Sequence, residues 1–154
     1  MNRWLLMLSF IFLVGCAAEK RSYDVTVHNA SNQPVTLWLT KDGEPYENGW
    51  LSPEDLAIDS PKNQDYIISG VVVAPGNTAF TGQKEGHFDK GTTAMLRVYD
   101  GQLLFSQILA VGRDSPLRID QPLPSGVSQW KIVRSAEGIM DLRRVDDPQF
   151  APGN

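Results

Sequence analysis

The sequence is poor in the residues that most catalytic and metal sites require. It holds one cysteine, Cys16, and two histidines, His28 and His87, among 154 residues. A single cysteine excludes an intramolecular disulfide, and two histidines leave little for a hydrolase triad or a histidine-rich metal centre. The sequence also lacks a G-x-S-x-G nucleophile motif. We therefore expect a protein that is not an enzyme and that uses neither a metal nor a cofactor.

Basic residues are outnumbered and scattered. The chain contains 14 Lys and Arg against 18 Asp and Glu, which gives a formal net charge of −4. The adjacent basic pairs, Lys20-Arg21 and Arg143-Arg144, are isolated from one another. Because nucleic acids and anionic lipids attract clustered Lys and Arg, we expect no nucleic-acid partner.

The longest apolar run is confined to the N-terminus. Arg3 precedes residues 4–14, which are apolar apart from one serine; this is the length of a signal-peptide core and too short to span a bilayer. The run ends in Leu13-Val14-Gly15-Cys16, which resembles the lipobox of bacterial lipoproteins. The resemblance implies that residues 1–15 are a cleaved signal peptide and that Cys16 becomes the lipid-carrying N-terminus. An ordinary secretory signal and a buried core segment are the alternatives.

Lipidation of Cys16 would attach the protein to a membrane of the cell envelope. Acylation removes the only thiol of the chain, and two or more acyl chains make attachment stable. Because Ala17 and not an aspartate follows Cys16, the resemblance favours the outer membrane, at its periplasmic face or at the cell surface. Removing 15 of the 154 residues leaves 139, and the net charge becomes −5 since Arg3 is the only charged residue lost. This length suits one domain.

Residues 23–145 are predicted to form an all-β domain between a tether at residues 16–22 and a flexible tail at residues 146–154. Ten prolines and thirteen glycines break the chain into short segments, within which apolar and polar residues alternate as in half-buried strands. This predicts an antiparallel β-sandwich of about seven to nine strands, immunoglobulin-like or transthyretin-like. The predicted strands are residues 23–27, 35–40, 66–74, 78–81, 93–99, 102–111, 116–119, 127–133 and 139–145.

Turn residues suggest how these strands connect. Residues 29–34 are expected to join the first two strands in a hairpin. Asp100-Gly101 is the strongest hairpin signal, because a two-residue Asp-Gly turn stands between apolar runs. Glu137-Gly138 is expected to join the last two strands.

The middle of the chain is less regular. Residues 66–74 are strongly apolar, which predicts a strand at the centre of a sheet. Residues 44–64 are expected to form a long loop with a short helical turn, in which Ser52 is the N-cap and Pro53 the first helical residue. Residues 82–91 are polar and contain three glycines, which predicts a loop.

Three aromatic residues are the candidate ligand-binding residues: Trp38, Tyr46 and Trp50. Trp38 falls on the strand face where polar residues otherwise stand. Either the loop that follows covers it, with Tyr46 and Trp50 packed against it, or the three rings form an exposed patch able to stack on a sugar or a peptide.

Two histidine–aspartate pairs are the candidate metal ligands. His87 and Asp89 lie two residues apart beside a glycine, and Asp24 and His28 share one face of the first strand. Two ligands do not complete a metal site, so the alternative is that both histidines are ordinary surface residues. We assign no metal site.

The segment 29–45 resembles the opening of the von Hippel-Lindau tumour suppressor β domain. The resemblance rests on Asn29-Ala30-Ser31 and on the run W-L-T-K-D-G-E-P, residues 38–45. It implies a transthyretin-like sandwich and an extended hydroxyproline peptide as ligand, with Trp38 at the position of a ligand-binding tryptophan. The histidine and tryptophan that the family carries further along its chain have no match here.

Together these features predict a membrane-anchored envelope lipoprotein whose β-sandwich is a non-catalytic interaction module. Its partner would be an envelope protein or an extended peptide, bound at a sheet edge or at the Trp38/Trp50 face. A ligand-binding lipoprotein, with a carbohydrate or a metal at the aromatic face or at His87 and Asp89, is the alternative.

Overall fold

The computed structural model describes residues 18–43, 47, 49–59 and 70–145. These residues form eight strands and two short helices in the order β1-β2-α1-β3-β4-β5-α2-β6-β7-β8. The bounds are Glu19–Asn29 (β1), Val35–Lys41 (β2), Pro53–Asp59 (α1), Val71–Val73 (β3), Thr78–Phe88 (β4), Ala94–Asp100 (β5), Phe105–Ala110 (α2), Arg118–Pro122 (β6), Gly126–Arg134 (β7) and Met140–Arg144 (β8).

The strands form two packed four-stranded sheets, which confirms the predicted all-β sandwich. Sheet A has the order β4-β1-β7-β8, and sheet B has the order β3-β2-β5-β6. Neighbouring strands are antiparallel with one exception, since β1 and β7 run parallel from Tyr23 opposite Gly126 to Asn29 opposite Ile132. A parallel pair needs a long crossover, which the chain between β1 and β7 provides by building the whole of sheet B.

The first strand shows why the alternating pattern is informative. Tyr23, Val25 and Val27 are buried between the sheets, and the residues between them face outward. β1 begins at Glu19, opposite Phe88 of β4, which is four residues before the predicted start. The polar character of residues 19–22 predicts a tether, but they belong to the sheet, because backbone pairing with β4 does not depend on their side chains.

The predicted hairpin of the first two strands is wrong, because β1 and β2 lie in different sheets. The connection crosses from one sheet to the other and is held by the buried side chain of Asn29. Its amide Nδ2 donates to the carbonyl oxygens of Gln33 (2.8 Å) and Val73 (2.9 Å), and its Oδ1 accepts from the Ser31 N–H. The same turn residues that can close a hairpin here build a corner between two layers.

The segment predicted as a central strand lies at an edge. Of residues 66–74, Val71–Val73 form β3, which pairs only with β2 in the described part of the chain; residues 66–69 lie outside the described residues. Conversely, the predicted polar loop at 82–91 continues β4 through Phe88 as one strand of 11 residues. β4 is polar because it too is an edge strand, and its irregularity lies opposite Val25, where Gly82 has φ +61°.

Asp100-Gly101 does not close a hairpin. The strand before it is β5, as predicted, but residues 105–110 form α2, and β5 pairs with β6 instead. Thr36 holds the chain where it leaves the sheet after β5. Its Oγ1 donates to the Gly101 carbonyl (2.8 Å) and accepts from the Leu103 N–H (3.1 Å). The chain is thereby turned out of the sheet and across its outer surface.

The two helices cover the outer face of sheet B. α1 begins as predicted, with the Ser52 Oγ accepting from the Asp55 N–H (3.2 Å) and the Asp55 carboxylate accepting from the Ser52 N–H (3.0 Å), a reciprocal cap. α2 contributes Phe105 and Ile108 to a second apolar core. This outer cluster consists of Trp38, Tyr99, Phe105 and Ile108.

The last two strands follow the prediction, whereas the strand predicted at residues 116–119 lies further along the chain, at Arg118–Pro122. Residues 118–122, 126–134 and 140–144 form β6, β7 and β8, and the turn at Glu137-Gly138 closes the β7–β8 hairpin through the Ser135 N–H and the Ile139 carbonyl. Among the described residues, neither helix has the length and hydropathy needed to cross a bilayer.

Candidate functional site

The predicted lipidation site, Cys16, and the signal peptide at residues 1–15 lie outside the described residues, as does the predicted tail from residue 146. β1 begins three residues after Cys16. Three residues span at most about 11 Å, so a lipid on Cys16 would hold this end of the sandwich close to a membrane surface.

Trp38 and Trp50 do not form the exposed patch considered as a ligand site. Trp38 is 1% exposed, and its indole N–H donates to the Leu51 carbonyl (3.0 Å) beneath the helices on sheet B. The third residue of the predicted patch, Tyr46, lies outside the described residues.

Trp50 belongs to the core between the sheets, on the opposite side of sheet B from Trp38. It is 2% exposed and packs edge-on against Tyr23 and Phe88, with ring centroids 5.9 and 5.4 Å away. Its indole N–H donates to the Glu85 carbonyl (3.0 Å). Gly86 permits this approach, since a Cβ there would lie 2.9 Å from the Trp50 indole nitrogen.

His87 is exposed on β4 and has a carboxylate neighbour other than the predicted Asp89. The Glu47 Oε1 accepts from the His87 backbone N–H (2.8 Å) and lies 3.3 Å from its Nδ1. The same oxygen accepts from the buried Lys41 ammonium at 3.1 Å. The backbone N–H of His87 and the charge of Lys41 hold the pKa of Glu47 below its usual value. This is an ion-pair arrangement that ties Glu47 to the end of β2 and to β4.

The second histidine–aspartate pair lies on the outer face of sheet A. His28 Nδ1 is 3.1 Å from the Thr78 Oγ1 of the neighbouring strand, which is an ordinary cross-strand contact. Within residues 18–43, 47, 49–59 and 70–145, no three His, Cys, Asp or Glu side chains converge as metal ligands.

The open side of the sandwich, between the edge strands β3 and β4, contains a cavity with a largely apolar lining. Its volume is about 260 Å³, and core side chains from both sheets reach it. The apolar lining residues are Val25, Val27, Leu37, Leu39, Val71, Ala79, Phe80 and Leu96. The sequence predicted an interaction at a sheet edge but gave no sign of this cavity, because it depends on which two strands become edges.

A cluster of charged residues on the outer face of sheet B was not foreseen. Arg97 of β5 and Arg118 of β6 are both buried, with side-chain exposures of 10% and 3%. Arg118 binds both carboxylate oxygens of Asp120 at 2.7 Å, and Glu54 of α1 reaches both arginines. The feature of the sequence that indicates this cluster is Arg97, because it places a charge within the otherwise apolar run of the strand Ala94–Asp100.

Comparisons with known proteins do not assign the chain to a family: no family model matches its sequence, and no curated protein is significantly similar to it.

Proposed function

We propose that this chain is a lipid-anchored protein of the cell envelope whose β-sandwich binds an extended, apolar segment of a partner protein along its open side. The observation that carries the proposal is the cavity between β3 and β4, which is lined by residues of both sheets and has the exposed apolar side chains of Val71 and Phe80 beside it. The module would act by binding and not by catalysis.

Strand β4 offers the backbone hydrogen-bonding groups that such a site requires. It is an edge strand of 11 residues, and in the described part of the chain it pairs on one side only, with β1. Unpaired backbone N–H and C=O groups at an edge are a template for a further strand. Natural edges are often shortened or covered, whereas β4 is twice the usual strand length of about five to six residues.

The cavity offers space for the side chains of the bound segment. Protein interiors are packed without voids of this size, and the walls here include Val25 and Val27 from β1 and Leu37 and Leu39 from β2. A strand added beside β4 would direct alternate side chains into this space. The partner segment is therefore expected to carry apolar residues at every second position.

The anchor supports the location of the partner. β4 runs antiparallel to β1, and its last residue, Phe88, pairs with Glu19 at the start of β1. With a lipid on Cys16, that end of β4 would lie within a short chain length of the bilayer. A partner that binds along β4 would then be a protein of the same cell-envelope compartment.

Site-specific photocross-linking tests the proposal. A photoreactive phenylalanine analogue replaces Phe80, which is 74% exposed beside the cavity, and as matched control it replaces Ile139, which is 64% exposed at the β7–β8 turn. We expect position 80, and not position 139, to cross-link in membranes to one protein segment with alternating apolar residues. Ala79→Trp, which fills the cavity, should abolish this product while Cys16→Ala reduces it.

Three results would contradict the proposal. Equal cross-linking at both positions would show non-specific proximity. A cross-link from position 80 to a second copy of this chain would show self-association of β4 edges, and a cross-link to residues of the same chain would show that the chain itself covers the cavity. Retention of the product in Ala79→Trp would exclude the cavity as the binding determinant.

A further inference from the structure

We infer that the two guanidinium groups of Arg97 and Arg118, beneath helix α1, form a binding site for a carboxylate ligand, and that Glu54 of the same chain occupies this site in the structure. The site lies on the outer face of sheet B, so it is separate from the cavity between β3 and β4 and does not depend on the function proposed for it.

Glu54 shows which chemical group the site accepts. One of its carboxylate oxygens accepts from Arg97 Nη1 at 2.6 Å, and the other accepts from Arg118 Nη1 at 3.3 Å. The single carboxylate thus bridges two guanidinium groups with one oxygen on each. The two arginine side chains are buried, whereas about half of the Glu54 side chain is exposed. A rotation of that side chain would open the site without moving the backbone of α1.

One donor of the site is not used by Glu54. Arg97 Nε is buried and has no hydrogen-bond partner of standard geometry among the described residues. The neighbouring Tyr99 hydroxyl is no second unpaired donor, because its oxygen can accept from the Arg97 guanidinium. Asp120 does not compensate, because its nearest oxygen is 3.8 Å from Arg97 Nε and both of its oxygens bind Arg118. Buried donors are normally paired, so the unpaired Arg97 Nε is a donor that a bound carboxylate could use in addition to the Nη1 that Glu54 contacts.

The net charge of the site favours a ligand that carries one negative charge. Arg97 and Arg118 carry two positive charges, and Asp120 neutralises one of them through its bidentate contact. When Glu54 turns away, one positive charge remains. A single carboxylate balances it, and planar carboxylates match the donor fork of arginine. The ligand is a carboxylate, either free in solution or on the side chain of an acidic peptide.

The experiment uses the full chain and its Glu54→Ala variant, with acetate as probe and chloride at equal ionic strength as reference. A ligand that binds only the folded state raises the melting temperature. We expect acetate to raise it saturably in Glu54→Ala, with a half-saturation concentration roughly tenfold or more below that of the native chain, because the native carboxylate competes for the site. A neutral peptide with one glutamate, tested in parallel, distinguishes a peptide ligand from a free carboxylate by tighter binding.

Two control variants make the result specific. Arg97→Lys in the Glu54→Ala background keeps the charge but removes the donor fork, so the acetate effect should be lost. Asp141→Ala removes the carboxylate from the exposed pair with Arg143, which are 2.8 Å apart, and should give no acetate effect. Should Glu54→Ala not fold, Glu54→Gln replaces it in the same titration. An unchanged response to acetate in the folded variant, or a response that survives Arg97→Lys, would overturn the proposal and leave Glu54 as part of a structural ion-pair network.

Discussion

The outer faces of the two sheets differ in what covers them. On sheet B, helices α1 and α2 pack over Trp38 and Tyr99 and form a third layer with its own apolar cluster. On sheet A, no described element packs over the corresponding face, where Phe80 and Val127 are among the most exposed apolar residues. Within the described residues, one side of the domain is thus a three-layer structure, and the other is a single sheet.

This difference explains why aromatic and charged residues are buried on the outer face of sheet B but exposed on the outer face of sheet A. Under the helices, Arg97 and Arg118 are buried and must find carboxylates, because an unpaired buried charge is costly. On sheet A, the Lys20–Glu85 pair joins exposed side chains at 2.6 Å, and such surface pairs contribute little. Outward-facing strand residues therefore contribute differently to stability on the two sheets. On sheet B the helices bury them, whereas on sheet A no described element does.

Removal of a large side chain from each face gives the largest expected contrast. Trp38→Ala should lower the free energy of unfolding by about 3–5 kcal/mol, because it leaves a cavity in the outer cluster and removes the bond to Leu51. Phe80→Ala on sheet A should change it by less than about 0.5 kcal/mol. Urea denaturation followed by circular dichroism measures both, and similar losses would show that the two faces are equally covered.

Threonines at comparable positions provide a second contrast. Thr36 on sheet B is buried and bridges the Gly101 carbonyl and the Leu103 N–H, whereas Thr26 on sheet A is half-buried on the open face. Thr36→Val should cost about 1–3 kcal/mol, since it leaves both backbone groups unpaired. Thr26→Val should cost less than about 0.5 kcal/mol. Equal values in denaturant unfolding would contradict the role of Thr36 in directing the chain towards α2.

The features that follow from local chemistry could be predicted from the sequence. The alternation of Tyr23, Val25 and Val27 identifies β1 and its buried face, and Ser52-Pro53 identifies the start of α1. The last three strands are also short segments with clear turns between them. In each case the signal in the sequence is local, either an alternating pattern, a cap or a turn, even though β6 and β7 pair with the distant strands β5 and β1.

The features that depend on distant residues could not be predicted. β1 and β2 look like a hairpin, but Asn29 bonds to Val73, 44 residues away, and the chain crosses between sheets. Asp100-Gly101 looks like a hairpin turn, but Thr36 captures its carbonyl from another strand. The carboxylate site has the same origin, since Glu54 and Arg118 are 64 residues apart. No spacing rule within the sequence brings such residues together.

The cap of α1 tests how much the third layer depends on its own helix. Ser52→Ala removes the Oγ that accepts from the Asp55 N–H, and loss of an N-cap typically costs about 1 kcal/mol. Ser125→Ala, in the exposed connection before β7, should leave the free energy of unfolding unchanged. If Ser52→Ala were equally neutral in denaturant unfolding, packing of the outer cluster alone would hold α1 in place.

The smallest expected effect is a loss of stability at acidic pH, and it arises from Glu54 on the covered face of sheet B. Partial burial raises the pKa of Glu54, but its own backbone N–H and the charges of Arg97 and Arg118 outweigh burial, so its pKa lies below the usual value. Ionised Glu54 therefore stabilises the folded state above the unfolded-state pKa of about 4.3. That contribution is lost as the pH falls through the lower, folded-state pKa.

Glu54→Gln removes this titration. Between about pH 5 and pH 3 the native chain should lose more stability than Glu54→Gln, and the two curves should converge as the carboxyl is protonated. Because about half of the Glu54 side chain is exposed, solvent screening keeps the difference small. Parallel stability curves over this range would show that Glu54 does not interact with the two arginines in its ionised form, and the carboxylate site would lose its intramolecular occupant.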